Sequence, residues 1–94
     1  MQVIWLPEAF EDLLGIRKYI EEYDPGAAQR IAQRILTAVG PLGKFTEMGR
    51  PGRVLGTREL VVFGTPYIIP YRVKGDTIEI LGVVHGAEKW PDKF

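Results

Sequence analysis

The sequence predicts one α+β domain of two layers, in which a pair of helices packs on a mainly antiparallel sheet. The first half of the chain contains two stretches whose apolar residues recur every three or four positions, which is typical of helices. The second half contains three apolar runs separated by short glycine-containing turns, which is typical of strands joined as hairpins. A length of 94 residues suits one core, so we expect residues 1–94 to form a single domain with the order β-α-α-β-β-β.

The chain is expected to begin with a short strand and a helix. The strand spans residues 2–6, and Pro7 suits the first turn of the helix that follows. Apolar residues then recur at Ala9, Leu13, Ile16 and Ile20. This spacing predicts an amphipathic helix of about four turns. Its start lacks a side-chain cap because Leu6 stands at the capping position.

The second helix has a stronger start signal. Asp24 can accept hydrogen bonds from free backbone N–H groups, and Pro25 suits the first helical position. The apolar repeat consists of Ala28, Ile31, Ile35, Ala38 and Leu42. Gly40-Pro41 should fray, kink or end the helix, because proline cannot donate to the preceding turn. The two helices should lie antiparallel, each with an apolar face that needs a cover.

Three strands are expected to provide that cover, at residues 58–63, 67–73 and 77–85. The connections Gly64-Thr65-Pro66 and Lys74-Gly75-Asp76 are short enough for hairpins, so an antiparallel meander is the simplest arrangement. The first strand would be added to this sheet.

Side-chain alternation assigns faces within these strands. In the last strand, one face would hold Ile78, Ile80, Gly82 and Val84, and the other Glu79, Leu81, Val83 and His85. Tyr67 and Tyr71 share a face and are expected to pack in the core. Pro70 removes a backbone donor from its strand, so we expect a local irregularity there.

Composition excludes several classes of site. The chain has no cysteine and no serine, so neither can act as a nucleophile. With a single histidine and no cysteine, we expect no metal site, and no cofactor motif is present. No apolar run is long enough to cross a bilayer and the first residues do not resemble a signal peptide, so we expect a cytoplasmic protein without membrane contact.

Charge is distributed unevenly along a chain whose formal net charge is zero. Residues 44–75 contain six lysines and arginines against two acidic residues, whereas the regions on either side are acidic. This pattern favours a focused contact with one anionic surface over general nucleic-acid binding. The candidate binding residues, which we expect to converge on one surface, are Arg50, Arg53, Arg58, Arg72 and His85.

Each candidate also has a purely structural alternative. His85 could cap the end of its strand by bonding a backbone carbonyl. Arg58 or Glu59 could belong to a cross-strand charge pair, and Glu47 could be a solvated loop residue. Arg72 needs no function if its face of the sheet is solvated.

Short motifs along the second half of the chain resemble the RelE/ParE toxin superfamily. They are GRPGRV from Gly49, GTRELV from Gly56, PYIIPYRV from Pro66, Val83-Val84-His85-Gly86 and Trp90-Pro91. With the order of the elements, the resemblance covers nearly the whole chain. It is closest to the ParE branch, which includes plasmid-stabilisation toxins.

The resemblance implies a toxin of a type II toxin-antitoxin pair, held inactive by a cognate antitoxin. In the ParE branch the target is DNA gyrase, whose DNA-cleavage complex is trapped, so that growth is arrested. In the RelE branch the toxin is a ribonuclease that cuts messenger RNA on the ribosome. A third possibility is a non-toxic remnant that only binds the antitoxin. The two-layer build would offer the antitoxin a groove between the helical pair and the edge of the sheet.

Chemistry distinguishes the two kinds of target in part. RNA cleavage through the 2′-hydroxyl needs a base, an acid and cations around the phosphate. By residue type, these roles could be filled by Glu47, Arg58, Arg72 and His85. The chain departs from the RelE branch where Ile68 and Gly86 stand in place of basic residues, and it lacks a surplus of positive charge. These departures favour gyrase inhibition, with the ribonuclease as the alternative.

Overall fold

The computed structural model describes residues 1–91 and residue 94. Along this part of the chain the elements are β1 (Gln2–Trp5), α1 (Pro7–Glu21), α2 (Pro25–Val39), a 3₁₀ turn (Gly40–Gly43), β2 (Arg50–Pro51), β3 (Arg58–Val61), β4 (Tyr67–Lys74), β5 (Thr77–Ile80) and β6 (Val84–His85). The predicted order of one strand, two helices and three further strands is confirmed. The sequence pattern does not predict β2, and the last predicted strand is divided into β5 and β6.

The strands form one sheet in the order β1-β5-β4-β3-β2, and β6 pairs with β4 beyond the end of β5. β1 lies parallel to β5, and the other pairs are antiparallel. The predicted meander is formed by β3, β4 and β5, so the sheet is mainly antiparallel as predicted. Lys74 pairs with Thr77 around a two-residue turn, in which Gly75 has a φ of 62°, a left-handed conformation that glycine adopts without steric cost.

The helix ends follow the sequence signals. Leu6 precedes α1 without a side-chain cap, and Pro7 occupies its first turn. At the start of α2, the backbone N–H of Ala27 donates to Oδ1 of Asp24 at 3.1 Å. α2 ends at Val39, where the chain tightens into the 3₁₀ turn. Within the described residues, neither helix is long and apolar enough to cross a membrane.

The core lies between the two helices and one face of the sheet. Its fully buried members include Ile35 of α2, Ile69 and Tyr71 of β4, and Ile78 and Ile80 of β5. Each such side chain contributes roughly 1.5–3 kcal/mol by leaving water. These core residues come from the apolar repeats of the helices and from the alternating positions of β4 and β5. The predicted core positions of Tyr67 and Tyr71 are confirmed.

The predicted irregularity near Pro70 is confirmed as a β-bulge in the opposing strand. The flanking pairs are Tyr71 with Ile80 and Ile68 with Val84. Between these pairs lie residues 69–70 on β4 but residues 81–83 on the other strand, so the latter carries one extra residue. The carbonyl of Pro70 still accepts from the backbone N–H of Leu81 at 2.9 Å.

The bulge reverses the predicted faces at the end of the last strand. Val83 lies in the helix-facing core together with Ile78 and Ile80, and His85 pairs opposite core-lining Tyr67. The prediction that Val83 and His85 lie on the face opposite Ile78 is therefore wrong. One extra residue shifts a strand with a side-chain period of two onto its other face.

Asp24→Ala is expected to lower the free energy of unfolding by about 1 kcal/mol, because the backbone N–H of Ala27 loses its acceptor. Denaturant titration of both proteins measures the difference. Asp24→Asn keeps an accepting oxygen and is the matched control, expected to change stability by less than about 0.5 kcal/mol. Equal losses in the two variants would contradict a capping role.

Candidate functional site

A buried carboxylate organises the glycine-rich arginine segment. Glu59 of β3 is 3% exposed and lies opposite Arg50 of β2. Its Oε1 accepts from Nε and Nη2 of Arg50 at 3.2 and 3.1 Å. Its Oε2 accepts from the backbone N–H and Nε of Arg53 at 2.8 and 3.2 Å. Both carboxylate oxygens are therefore bound twice.

These hydrogen bonds control the ionisation of Glu59. Burial alone would raise its pKa, but the backbone N–H of Arg53 and the two guanidinium groups outweigh burial and lower the pKa. Glu59 is therefore ionised near neutral pH, where it neutralises part of the charge of Arg50 and Arg53. The sequence indicates Glu59 only as a member of a cross-strand charge pair, and not as the residue that arranges the segment.

The C-terminal segment returns to this cluster. The guanidinium carbon of Arg53 lies 3.7 Å from the centre of the Trp90 ring, in a cation–π contact. Nε1 of Trp90 is buried and has no hydrogen-bond partner among residues 1–91 and 94. Arg53 thus contacts both the buried carboxylate of Glu59 and the ring of Trp90.

Arg58 holds a different loop. Its Nη1 donates to the carbonyl of Gly49 at 2.7 Å, and its Nη2 lies 4.0 Å from the exposed carboxylate of Glu47. The hydroxyl of buried Tyr71 accepts from the N–H of Gly49 and donates to the carbonyl of Thr46, both at 2.8 Å. A Cβ at Gly49 would lie 2.6 Å from the Tyr71 ring, so this close approach requires glycine.

Arg72 follows Tyr71 on β4. Its Nε donates to Oε1 of Glu79, its cross-strand partner, at 2.7 Å. Arg58 and Arg72 meet at one rim of the sheet, where they line a cleft of about 290 Å³ together with Val73. Each side chain is about one-third exposed, at 32% and 33%.

His85 lies elsewhere. It pairs with Tyr67, five residues along β4 from Arg72, which at 3.3 Å per residue places the two about 16 Å apart. Its Nδ1 accepts from the backbone N–H of Ala87 at 3.1 Å, and its ring meets that of Tyr67 edge to face at 5.7 Å. The charged groups that share its cavity are the carboxylates of Glu11, Asp12 and Glu88.

His85 therefore lies apart from the four arginines, and the expectation that all five candidate binding residues converge on one surface is wrong. Arg50 and Arg53 converge on Glu59, whereas Arg58 and Arg72 share the rim cleft. His85 lines an acidic cavity, and its Nδ1 accepts from a backbone N–H, whereas the structural alternative for this residue is a bond to a backbone carbonyl. Strand alternation alone could not show this division, because it depends on the bulge and on loop contacts.

Comparisons with known proteins find toxins, named ParE in the family model and RelE in some relatives. The family model described as the ParE toxin of type II toxin-antitoxin system, parDE, matches residues 3–90. The chain is 48% identical over 90 residues to toxin Y4kP of Sinorhizobium fredii, covering 96% of this chain and 93% of that protein. It is 42% identical over 86 residues to toxin RelE2 of Caulobacter vibrioides, covering 92% and 96%. A solved chromosomal ParDE TA system from P. aeruginosa superimposes with a TM-score of 0.85 at 33% identity, covering 90% of this chain and 95% of that one.

Glu59→Gln is expected to destabilise the fold by about 2 kcal/mol at pH 7, because two guanidinium groups lose a charged acceptor. The folded-state pKa of Glu59 lies below its ordinary value of 4.5. Its charge therefore stabilises the fold above about pH 4.5, and this contribution is lost as the pH falls through the folded-state pKa. The stability difference between the two proteins should shrink in that range.

Urea titrations at pH 7 and pH 3 measure this change. Glu47→Gln is the matched control, since this side chain is 83% exposed, and it should cost less than about 0.5 kcal/mol. A difference between wild type and Glu59→Gln that does not vary with pH would show that the charge of Glu59 is not what stabilises the cluster.

Proposed function

We propose that this chain, which belongs to the ParE toxin family of type II toxin-antitoxin systems, inhibits DNA gyrase by binding it and is neutralised by a cognate antitoxin. With gyrase as its target, the toxin would act in the cytoplasm. Cleavage of messenger RNA is the second candidate function, because relatives at 42% and 33% identity carry the name RelE.

We favour gyrase because the four residues that could form a ribonuclease site do not all lie together. A general base must come within about 3 Å of the proton that it removes, and the acid and cations must surround the same phosphate. Glu47 is 83% exposed at the Arg58 loop, whereas His85 lies about 16 Å along β4 from Arg72. A single phosphate does not have all four groups around it, which supports inhibition through binding.

The rim cleft is the surface that we assign to the target. Leu55 is completely exposed in the loop that leads to it, and Val73 beside the cleft is 45% exposed. The backbone N–H of Gly52 donates to the carbonyl of Thr57 at 2.8 Å, which closes this loop. Arginine is among the residues that contribute most to protein interfaces, and the exposed apolar side chains beside it offer surface that a partner would bury.

The antitoxin is assigned to a second, apolar groove between α2 and β3. The groove has a volume of about 430 Å³ and is lined by Ala38, Met48, Leu60, Val61 and Phe63, among others. β2 pairs only with Arg58 and Glu59, so within the described sheet the following residues of β3 have a free backbone edge. A partner segment could add a strand at this edge and bury Phe63, which is 85% exposed. This is the kind of groove that the two-layer build predicts.

Purified toxin is expected to convert supercoiled plasmid to linear DNA in the presence of gyrase, after the protein is digested, because the cleavage complex is trapped. A parallel reaction with translating ribosomes should leave the message intact. The control omits gyrase and should show no linear DNA. Cut message with unchanged plasmid would overturn the choice of target. No change in either reaction, with no slowing of growth on expression, would indicate a non-toxic remnant.

A pair of matched variants should separate the two surfaces, since each places a carboxylate on an exposed apolar position. Phe63→Asp is expected to weaken antitoxin binding at least about tenfold, the equivalent of 1.4 kcal/mol, while gyrase inhibition persists. Leu55→Asp should have the reverse effect. Calorimetry with the antitoxin encoded beside the toxin gene and the plasmid assay provide the readouts. If both variants lose both activities equally, the two surfaces are not separate.

A further inference from the structure

A cavity larger than both the rim cleft and the apolar groove is not explained by either surface. It has a volume of about 760 Å³ and lies between α1 and the strand pair β4–β6. On the helix side it is lined by Glu11, Asp12 and Tyr19, and on the sheet side by Tyr67, His85 and Glu88. The volume falls within the range of about 300–1,000 Å³ that is typical of ligand pockets.

The charge of this cavity has one sign. Its described lining contains three carboxylates and no lysine or arginine. Burial raises the pKa of Asp12; the backbone N–H of Val83, which donates to Oδ2 at 3.0 Å, opposes this effect, and repulsion from Glu88 and Glu11 adds to it. A cation inside the cavity would relieve that repulsion.

An unpartnered hydroxyl also belongs to the cavity. Tyr67 is only 8% exposed, yet its hydroxyl makes no hydrogen bond to any residue within 1–91 or to residue 94. Burial raises the pKa of this hydroxyl, and Glu88 and Tyr19 raise it further. Glu88 and Tyr19 line the same cavity as Tyr67. The ring of Tyr67 is buried, while its hydroxyl is free to bond to a group that enters the cavity, as a donor or as an acceptor.

At Gly15, the α1 side of the cavity has no side chain. Gly15 stands in the middle of α1, where glycine costs about 1 kcal/mol relative to alanine. Apart from the backbone of its own helix and its chain neighbours, a Cβ at Gly15 would meet no atom of the described residues within 4 Å, so packing against them does not require glycine here. Because Gly15 has no side chain, the mouth of the cavity is open to an approaching group.

The lining selects the kind of cation. Among the described residues, no group of three or more histidine or acidic side chains is arranged to hold a metal ion. The rings of Tyr67 and His85 meet at 83°, which gives the cavity an aromatic corner beside its carboxylates. A planar guanidinium can stack on such rings and bind carboxylates through two parallel hydrogen bonds, which a spherical ion cannot do.

We propose that this cavity binds an arginine side chain of a protein partner, with its guanidinium between the Glu11 and Glu88 carboxylates and the Tyr67 hydroxyl. The volume exceeds that of one side chain, so residues on either side of the arginine would enter with it. This binding site does not depend on whether the target is gyrase or messenger RNA. It lies on the α1 side of the domain, whereas the apolar groove lies between α2 and β3.

The probe is a blocked five-residue peptide with arginine at its centre and glycine and alanine elsewhere, titrated into the whole toxin. We expect saturable changes in the NMR signals of the Tyr67 and His85 rings. A peptide with citrulline, the neutral isostere of arginine, should bind at least about tenfold more weakly. The double variant Glu11→Gln/Glu88→Gln, which changes two exposed side chains, should lose at least about tenfold in affinity.

The matched control is Glu22→Gln/Glu47→Gln, which removes the same charge from exposed positions outside the cavity and should retain affinity within about twofold. Equal binding of the citrulline peptide, equal loss in the control variant, or no saturable change would overturn the proposal. Free arginine binding as tightly as the peptide would assign the cavity to a small molecule and overturn the choice of a protein partner.

Discussion

One extra residue in the last strand determines how the two halves of the molecule meet. The bulge opposite Pro70 removes the backbone N–H of Val83 from the ladder, and Asp12 of α1 accepts from it at 3.0 Å. Because a buried N–H without an acceptor would cost about 1–3 kcal/mol, this bond connects the first helix to the bulge. The same shift carries His85 to the helix side of the sheet, beside Tyr67. The acidic cavity exists because the strand changes face here.

Most arginines in the basic middle of the chain are bound to carboxylates. Arg50 and Arg53 are bound to buried Glu59, and Arg72 is bound to Glu79. The region therefore uses much of its positive charge to fix loops, and does not present it as one field to a phosphate backbone. Arg58 donates to a carbonyl and keeps part of its side chain at the rim. Such a surface suits a protein target better than RNA, whose binding depends on many cationic contacts.

The two surfaces assigned to the target and the antitoxin are connected by one strand. The rim cleft begins at Arg58 and the apolar groove ends at Phe63, five residues further on, or about 16 Å at the rise of an extended chain. An antitoxin segment that pairs with the edge of β3 and continues along it would approach the cleft. Neutralisation in the proposed scheme therefore needs no change in the toxin's shape, since a partner of ordinary interface size, about 800 Å² on each side, would cover both surfaces.

The sequence by itself determined the helix pair, the meander, the capping of α2 by Asp24 and the family, because these depend on local spacing, turn residues and short motifs. It also indicated the irregularity at Pro70, since a missing donor is a local property. Only the tertiary structure decided which strand carries the bulge, that Glu59 binds two arginines, and that His85 is separated from Arg72. These outcomes depend on which distant groups satisfy buried polar atoms, and the period of a strand contains no information about partners on other elements.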